Sequence, residues 1–177
     1  MAKKVLVVGA TGLVGTYLMN VMAYMPTIDL YGTYCSQFVS GLIPLQMENS
    51  KDVGDVFRTI RPEVVYVPAF ISNVDRCEVD GYARRINLGG IMNIVDKARS
   101  YDAQIVFISS AYVFDGTKST PYTIFDPCMP IQQYGIQKLK CEDMVLMGRA
   151  DSIVVRTSNV IGRETTRKNY GYRVLDS

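Results

Sequence analysis

The chain contains no histidine. That excludes a Ser-His-Asp triad, a Cys-His nucleophile pair and a zinc site built on imidazole. Cysteines are present but never paired at redox or metal spacing: Cys35, Cys77, Cys128 and Cys141 are scattered, with no CxxC. They read as free buried thiols in a reducing cytoplasm, and no metal site is expected. An excess of one charge is missing as well. With 19 Lys and Arg against 17 Asp and Glu the net charge is +2, which gives no electrostatic footprint for nucleic acid. The one basic concentration, Arg163, Arg167, Lys168 and Arg173, reads as a solvated stretch. No apolar run approaches the roughly 18 to 20 residues of a membrane span. Val5-Leu6-Val7-Val8 is too short for a signal peptide and runs into a glycine loop. Repeats and low-complexity segments are also missing. The expectation is a cytoplasmic globular protein with neither membrane nor nucleic-acid partners.

What is there is a chain of 177 residues, 48% of them apolar, long enough for one domain with a full core. Short apolar runs alternate with amphipathic segments. Strands are expected at Lys3–Val8, Ile28–Thr33, Ile43–Met47, Val64–Val67, Gln104–Ser109 and Ser152–Arg156. Helices are expected at Leu13–Met25, Asp52–Ile60, about Asp80–Ser100 and Ile131–Met147. A long loop rich in turn signals precedes the last helix. This alternation predicts an α/β fold, a Rossmann-type doubly wound parallel sheet of order 3-2-1-4-5-6. Ligands in such sheets sit at the carboxyl ends of the strands. Gly9–Gly15, Pro68–Ser72 and Ser109–Tyr112 therefore border one crevice.

The first strand is followed by Gly9-Ala10-Thr11-Gly12-Leu13-Val14-Gly15. A pyrophosphate needs main-chain N–H groups at a helix N-terminus with no side chain in the way. Gly9 suits the tight turn, Gly12 the close approach and Gly15 the close packing of helix on strand. The sequence therefore predicts nucleotide binding. At the end of the second strand a carboxylate would select NAD and an arginine NADP. Gly32-Thr33-Tyr34-Cys35-Ser36 holds neither, so NADP or NAD is expected, with NADP slightly favoured because nothing repels a 2′-phosphate.

Tyr134-Gly135-Ile136-Gln137-Lys138 sets a phenol and an ammonium a turn apart on one helix face. An unperturbed phenol titrates near 10, and a neighbouring cation favours the phenolate. A hydroxyl from Ser109-Ser110, at the end of the fifth strand, would hold a substrate carbonyl against that phenol.

With these motifs in place the chain resembles the extended short-chain dehydrogenase/reductases, and among them the dTDP-4-dehydrorhamnose reductase group. The regulatory beta subunit of methionine adenosyltransferase is a relative of that group. The likeness is carried by Gly9–Gly15, Arg61–Val65, Asn73–Glu78, Asn87, Ile108–Gly116, Tyr134–Lys138 and Val155–Ser158. It implies reduction of a 4-keto nucleotide sugar by NAD(P)H. Tyr134 would be the proton donor, Lys138 its electrostatic partner and Ser110 the carbonyl anchor. The implied cofactor contacts are Gly9, Thr11, Gly12, Leu13, Val14, Gly15, Thr33, Gln46, Met47, Pro68, Ala69, Phe70, Tyr134 and Lys138. The implied partners are a nucleotide-sugar substrate and a second copy in a homodimer. Some features depart from the group. Ala111 stands where an Asp is usual, Gln46 where an Asp touches adenine, and Val67-Pro68-Ala69 where Asn-Ala-Ala is usual. The group also continues into a sugar-binding lobe. Residues 1–177 are therefore expected to be the NAD(P)-binding domain of a C-terminally truncated chain that lacks this lobe. Two other functions use the same scaffold: a non-catalytic NADP-binding regulatory subunit, and a nucleotide-sugar epimerase or dehydratase.

Overall fold

The computed structural model describes residues 2–163. Six strands form one parallel sheet in the order β3-β2-β1-β4-β5-β6, as the alternation of strands and helices predicts. In chain order the elements are β1 (Lys3–Val7), α1 (Leu13–Met22), β2 (Ile28–Tyr34), β3 (Ile43–Pro44), α2 (Ser50–Ile60) and β4 (Val64–Val67). They continue with α3 (Val74–Val79), α4 (Gly81–Arg84), α5 (Gly90–Ser100), β5 (Gln104–Ser110), α6 (Gln133–Gly148) and β6 (Ile153–Thr157). Arg167, Lys168 and Arg173 lie outside the described residues. Among the described residues no helix is long and apolar enough to cross a membrane.

Successive side chains of a strand point to opposite faces, and the two faces of this sheet are filled separately. Leu6, Val8, Val65, Val67, Ile105 and Phe107 pack with Val53, Val56 and Phe57 of α2, Ile91 and Ile94 of α5, and Cys141 and Val145 of α6. Val5, Val7, Val64 and Val106 pack on the other face with Met22 of α1. Both faces of the central strands are covered, which is why these strands are apolar throughout.

The departures from expectation have local causes. β3 is two residues long rather than five: Pro44 offers no donor, and Asn49 begins a helix. The Asn49 side chain accepts the N–H groups of Lys51 (3.0 Å) and Asp52 (3.4 Å), which starts α2 at Ser50. The helix expected from Asp80 onward is three pieces. Asp80 is extended and caps α4 by accepting the Tyr82 N–H at 2.8 Å. One turn of π-helix, Arg85–Gly89, then joins α4 to α5. α3 was not expected, although Asn73 supplies an N-cap by accepting the Arg76 N–H at 2.7 Å. The cysteines are all free, but only Cys77 and Cys141 are buried; Cys35 is exposed and Cys128 half-buried.

Candidate active site and cofactor cradle

β1 leads into Gly9, whose φ of +87° is open to glycine and rarely to other residues. A Cβ at Gly9 would stand 2.8 Å from the Ala69 Cβ, and one at Gly15 only 2.1 Å from the Gly9 carbonyl oxygen. These two glycines are required by packing. Gly12 is different: it is exposed, and a Cβ there would meet only the Gly9 oxygen, at 3.5 Å. α1 starts from Gly12 with no side-chain cap and no acidic residue in its first turn. Its first N–H groups and the positive end of its dipole thus lie, among the described residues, beside Thr11, Leu13 and Val14 with no side chain capping them. This cradle fits the pyrophosphate of a dinucleotide.

Thr33, expected as a cofactor contact, is 1% exposed and already engaged. Its hydroxyl accepts the Gly9 N–H at 3.1 Å and its carbonyl the Ala10 N–H at 2.8 Å, so it shapes the glycine loop from behind. At the rim beyond β2, the exposed Cys35 thiol donates to the exposed Gln46 Oε1 at 3.2 Å. Met47 turns inward: its side chain packs on Gly90 and its carbonyl accepts the Asn93 side-chain N–H at 3.0 Å. The Met47 side chain therefore belongs to the core and not to the rim.

Pro68 leaves a visible mark. Val8 donates to the Tyr66 carbonyl at 2.9 Å, and the parallel ladder would next use the N–H of residue 68. Proline has none, and Ala69 donates to the Val8 carbonyl in its place at 3.2 Å. The shift seats Ala69 against Gly9. Phe70 then meets the Tyr134 ring edge-on, with centroids 5.7 Å apart. Ala69-Phe70 thereby links the glycine loop to the expected proton donor.

Ser109 and Ser110 separate by strand alternation. Ser109 faces the α6 side and donates to Glu142. Ser110 lies at the crevice, where its oxygen accepts the Tyr112 N–H at 3.2 Å and its hydroxyl influences the Tyr134 phenol. Tyr134 is 8% exposed. Burial pushes its phenol above the ordinary value, while the Ser110 hydroxyl acts in the opposite direction. The neighbouring ammonium was expected to favour the phenolate; burial is instead the largest influence on it. Lys138 Nζ lies 5.8 Å from the Tyr134 ring centroid, donates to the Ile108 carbonyl at 2.7 Å, and sits over the rings of Phe70 (3.7 Å) and Phe107 (4.7 Å).

Lys138 is 3% exposed, and burial lowers its pKa to about 7; Cys141, Glu142 and Cys77 pull the other way. An unfolded lysine keeps its proton to about 10.4. Between these values the unfolded state holds more protons, so stability rises with pH. We expect the unfolding free energy to gain about 2 kcal/mol between pH 6 and about 8.5, below the range of the cysteines. Denaturant melts across that range should show the rise, and Lys138→Met should abolish most of it. An equal rise in the variant would assign it to other groups.

Several residues of the site carry roles that the sequence does not assign. Asn87, on the π-turn and fully buried, bridges three elements. Its oxygen accepts the Ile71 N–H (2.8 Å), and its amide donates to Gln137 Oε1 (2.8 Å) and to the Ile71 carbonyl (3.2 Å). It pins the Ile71 loop to α6 between Tyr134 and Lys138. π-Bulges often mark functional sites, but no sequence period announces one. The ion pair behind Ser109 is another such case: the buried Glu142 pairs with the half-buried Arg156.

The family model described as RmlD substrate binding domain matches residues 3–177. The chain is 30% identical over 161 residues to dTDP-4-dehydrorhamnose reductase of Burkholderia thailandensis, covering 88% of this chain and 49% of that protein. It is 30% identical to the crystal structure of a dTDP-4-dehydrorhamnose reductase from Clostridium acetobutylicum, with a TM-score of 0.87 over 98% of this chain and 58% of that one. The Bacillus anthracis dTDP-4-dehydrorhamnose reductase in complex with NADP is 29% identical, with a TM-score of 0.81 over 93% of this chain and 57% of that one. The chain spans about half the length of the curated relatives it matches.

Proposed function

The chain belongs to the RmlD substrate-binding domain family, and on that premise we propose that it is the cofactor-binding portion of an NAD(P)H-dependent reductase of a 4-keto nucleotide sugar, of the dTDP-4-dehydrorhamnose reductase type. One observation carries the reading. Ser110, Tyr134 and Lys138 meet at the crevice, and Ala69-Phe70 joins them to an uncapped, glycine-lined helix N-terminus.

The main-chain N–H groups at Gly12–Val14 would hold the pyrophosphate, with Thr11 at their rim. Gln46, Pro68, Ala69 and Phe70 would border the adenosine and nicotinamide ends, and Lys138 would hold the nicotinamide ribose. The bound nicotinamide would supply the hydride. Ser110 accepts from the Tyr112 N–H, and its own hydrogen would turn to a substrate carbonyl. Tyr134 would give its phenolic proton to the developing alkoxide, and the pull of burial keeps that phenol protonated until the step. The crevice would exclude water once a sugar-binding lobe closes over it. Such an enzyme would work as a cytoplasmic homodimer.

Ala111 favours a second reading. It is exposed at the crevice rim where the group carries a carboxylate, which suits an NADP-binding regulatory subunit without turnover. The same absence speaks against a dehydratase. The test is to supply the protein of the complete reading frame with NADPH and a dTDP-4-keto-6-deoxy sugar and to follow absorbance at 340 nm. Oxidation of NADPH is expected. NADPH bound but not consumed would overturn the reductase in favour of the regulator. A preference for NADH beyond about a hundredfold, roughly 2.7 kcal/mol, would contradict the open 2′-site between Thr33 and Ser36.

A further inference from the structure

α6 carries a charge that its packing does not require. On the face that Cys141 and Val145 fill with apolar contacts, Glu142 is 2% exposed. A carboxylate in that position loses its hydration, a penalty of several kcal/mol unless its oxygens are paired and hydrogen-bonded. Both are. Ser109, at the end of β5, donates its hydroxyl to Oε1. Arg156, on β6, donates from Nη2 to Oε2 at 2.6 Å and from Nε to both oxygens at 3.1 and 3.2 Å. The guanidinium in turn lies over the Phe114 ring, 5.2 Å from its centroid. One side chain of α6 thus grips the ends of two neighbouring strands.

The place of that grip matters. Residues four apart share a helix face, so Glu142 follows Lys138 and Tyr134 along one line of α6. The residue it holds on β5 is the immediate neighbour of Ser110. The Thr157 hydroxyl adds a bond to the Ser109 carbonyl at 3.4 Å. Apolar packing alone would let the strand end slide by fractions of an ångström against the helix. Directional, charge-assisted bonds do not.

We infer that Glu142 is a positioning residue: its carboxylate ties the ends of β5 and β6 to α6 and so sets Ser110, Tyr134 and Lys138 in register with one another. The inference rests on the proposed reductase only for the use made of that register. The charged and titratable groups facing Glu142 are Arg156 from β6, Lys138 and Cys141 from α6, and Cys128 from the loop before α6. Burial pushes both thiols up, so they are neutral. Arg156 balances the carboxylate on the sheet side. On the helix side its charge works against the desolvation of Lys138.

The test uses the 177-residue chain labelled with ¹³C-lysine, the Lys138 signal being assigned by its loss in Lys138→Met. Glu142→Gln keeps the shape and removes the charge. It should lower the Lys138 titration midpoint by about one pH unit, a tenfold change in its ionisation constant, and weaken NADPH binding by about tenfold in calorimetry. Glu142→Asp should restore the midpoint and only part of the affinity, since its carboxylate stands one methylene further from Ser109. Should Glu142→Gln not fold, Ser109→Ala carries the test. It removes one hydroxyl and no charge, and should leave the midpoint in place while weakening NADPH severalfold. A merely structural Glu142 would show a lower melting temperature with the midpoint and the NADPH affinity both unmoved, and that result overturns the inference. A failed reductase would show itself separately, as no ketone reduction with these titrations intact.

Discussion

Replacing Tyr134 by phenylalanine in the complete protein should slow hydride transfer to a 4-keto nucleotide sugar by about a hundred- to ten-thousandfold, the usual worth of a positioned acid. In barrier terms this is about 3 to 5 kcal/mol. NADPH affinity should hardly change. The reasoning is local. The Tyr134 ring is packed edge-on against Phe70 at 5.7 Å and Tyr112 at 5.8 Å, and phenylalanine keeps both contacts. What it loses is the hydroxyl beside Ser110, the proton source at the crevice. The Lys138 ammonium is spent on the Ile108 carbonyl, and the neighbouring serine has a pKa far too high to release a proton readily to an alkoxide forming there. Stopped-flow measurement of the first turnover separates chemistry from product release. Rates within about threefold of each other would mean that Tyr134 only packs, and would promote the regulatory reading.

The parts of this arrangement that show in sequence are those with a period or a punctuation. The apolar runs Val5–Val8, Val64–Val67 and Ile105–Ile108 mark strands covered on both faces, and their alternation with helices suffices for the strand order. The glycine loop is legible because its requirement is backbone geometry, and Gly9 and Gly15 prove to be packed against Ala69 and the Gly9 carbonyl. Tyr134 and Lys138 follow from helical spacing. What the sequence does not show is how a side chain is spent. Thr33 and Met47 lie where cofactor contacts were expected, but one is bonded to the glycine loop and the other is packed on Gly90. The ammonium of Lys138 faces aromatic rings and the Ile108 carbonyl, and burial is the largest influence on the phenol. Asn87, Glu142 and Arg156 act through contacts that span from 14 to 50 residues of chain, and no local pattern announces such pairs. α3 is a lesser omission: Asn73 followed by Asp75 carried a capping signal that a six-residue helix made easy to overlook.

The central claim is that the cradle between Gly9 and Gly15 binds a nicotinamide dinucleotide, and two glycine substitutions test it against each other. At Gly15 a methyl group would stand 2.1 Å from the Gly9 carbonyl oxygen and 2.9 Å from the Ala10 Cα, both backbone atoms. Gly15→Ala should therefore destabilise the chain itself, by about 1 to 3 kcal/mol as overpacking does, with or without ligand. At Gly12 the only neighbour lies at an ordinary van der Waals distance of 3.5 Å, and the residue is exposed. Gly12→Val should leave the melting temperature of the free chain within a few degrees, a change of under about 1 kcal/mol, because among the described residues its Cβ meets nothing closer than that oxygen. The same side chain would keep a pyrophosphate from the N–H groups of the first turn of α1. The deciding measurement is a calorimetric titration of the 177-residue chain and its Gly12→Val variant with NADPH. The account predicts that the parent binds and that the variant, still folded, binds at least about a hundredfold more weakly, a loss of some 2.7 kcal/mol. Equal affinity in the two proteins, or no binding by the parent, would contradict it.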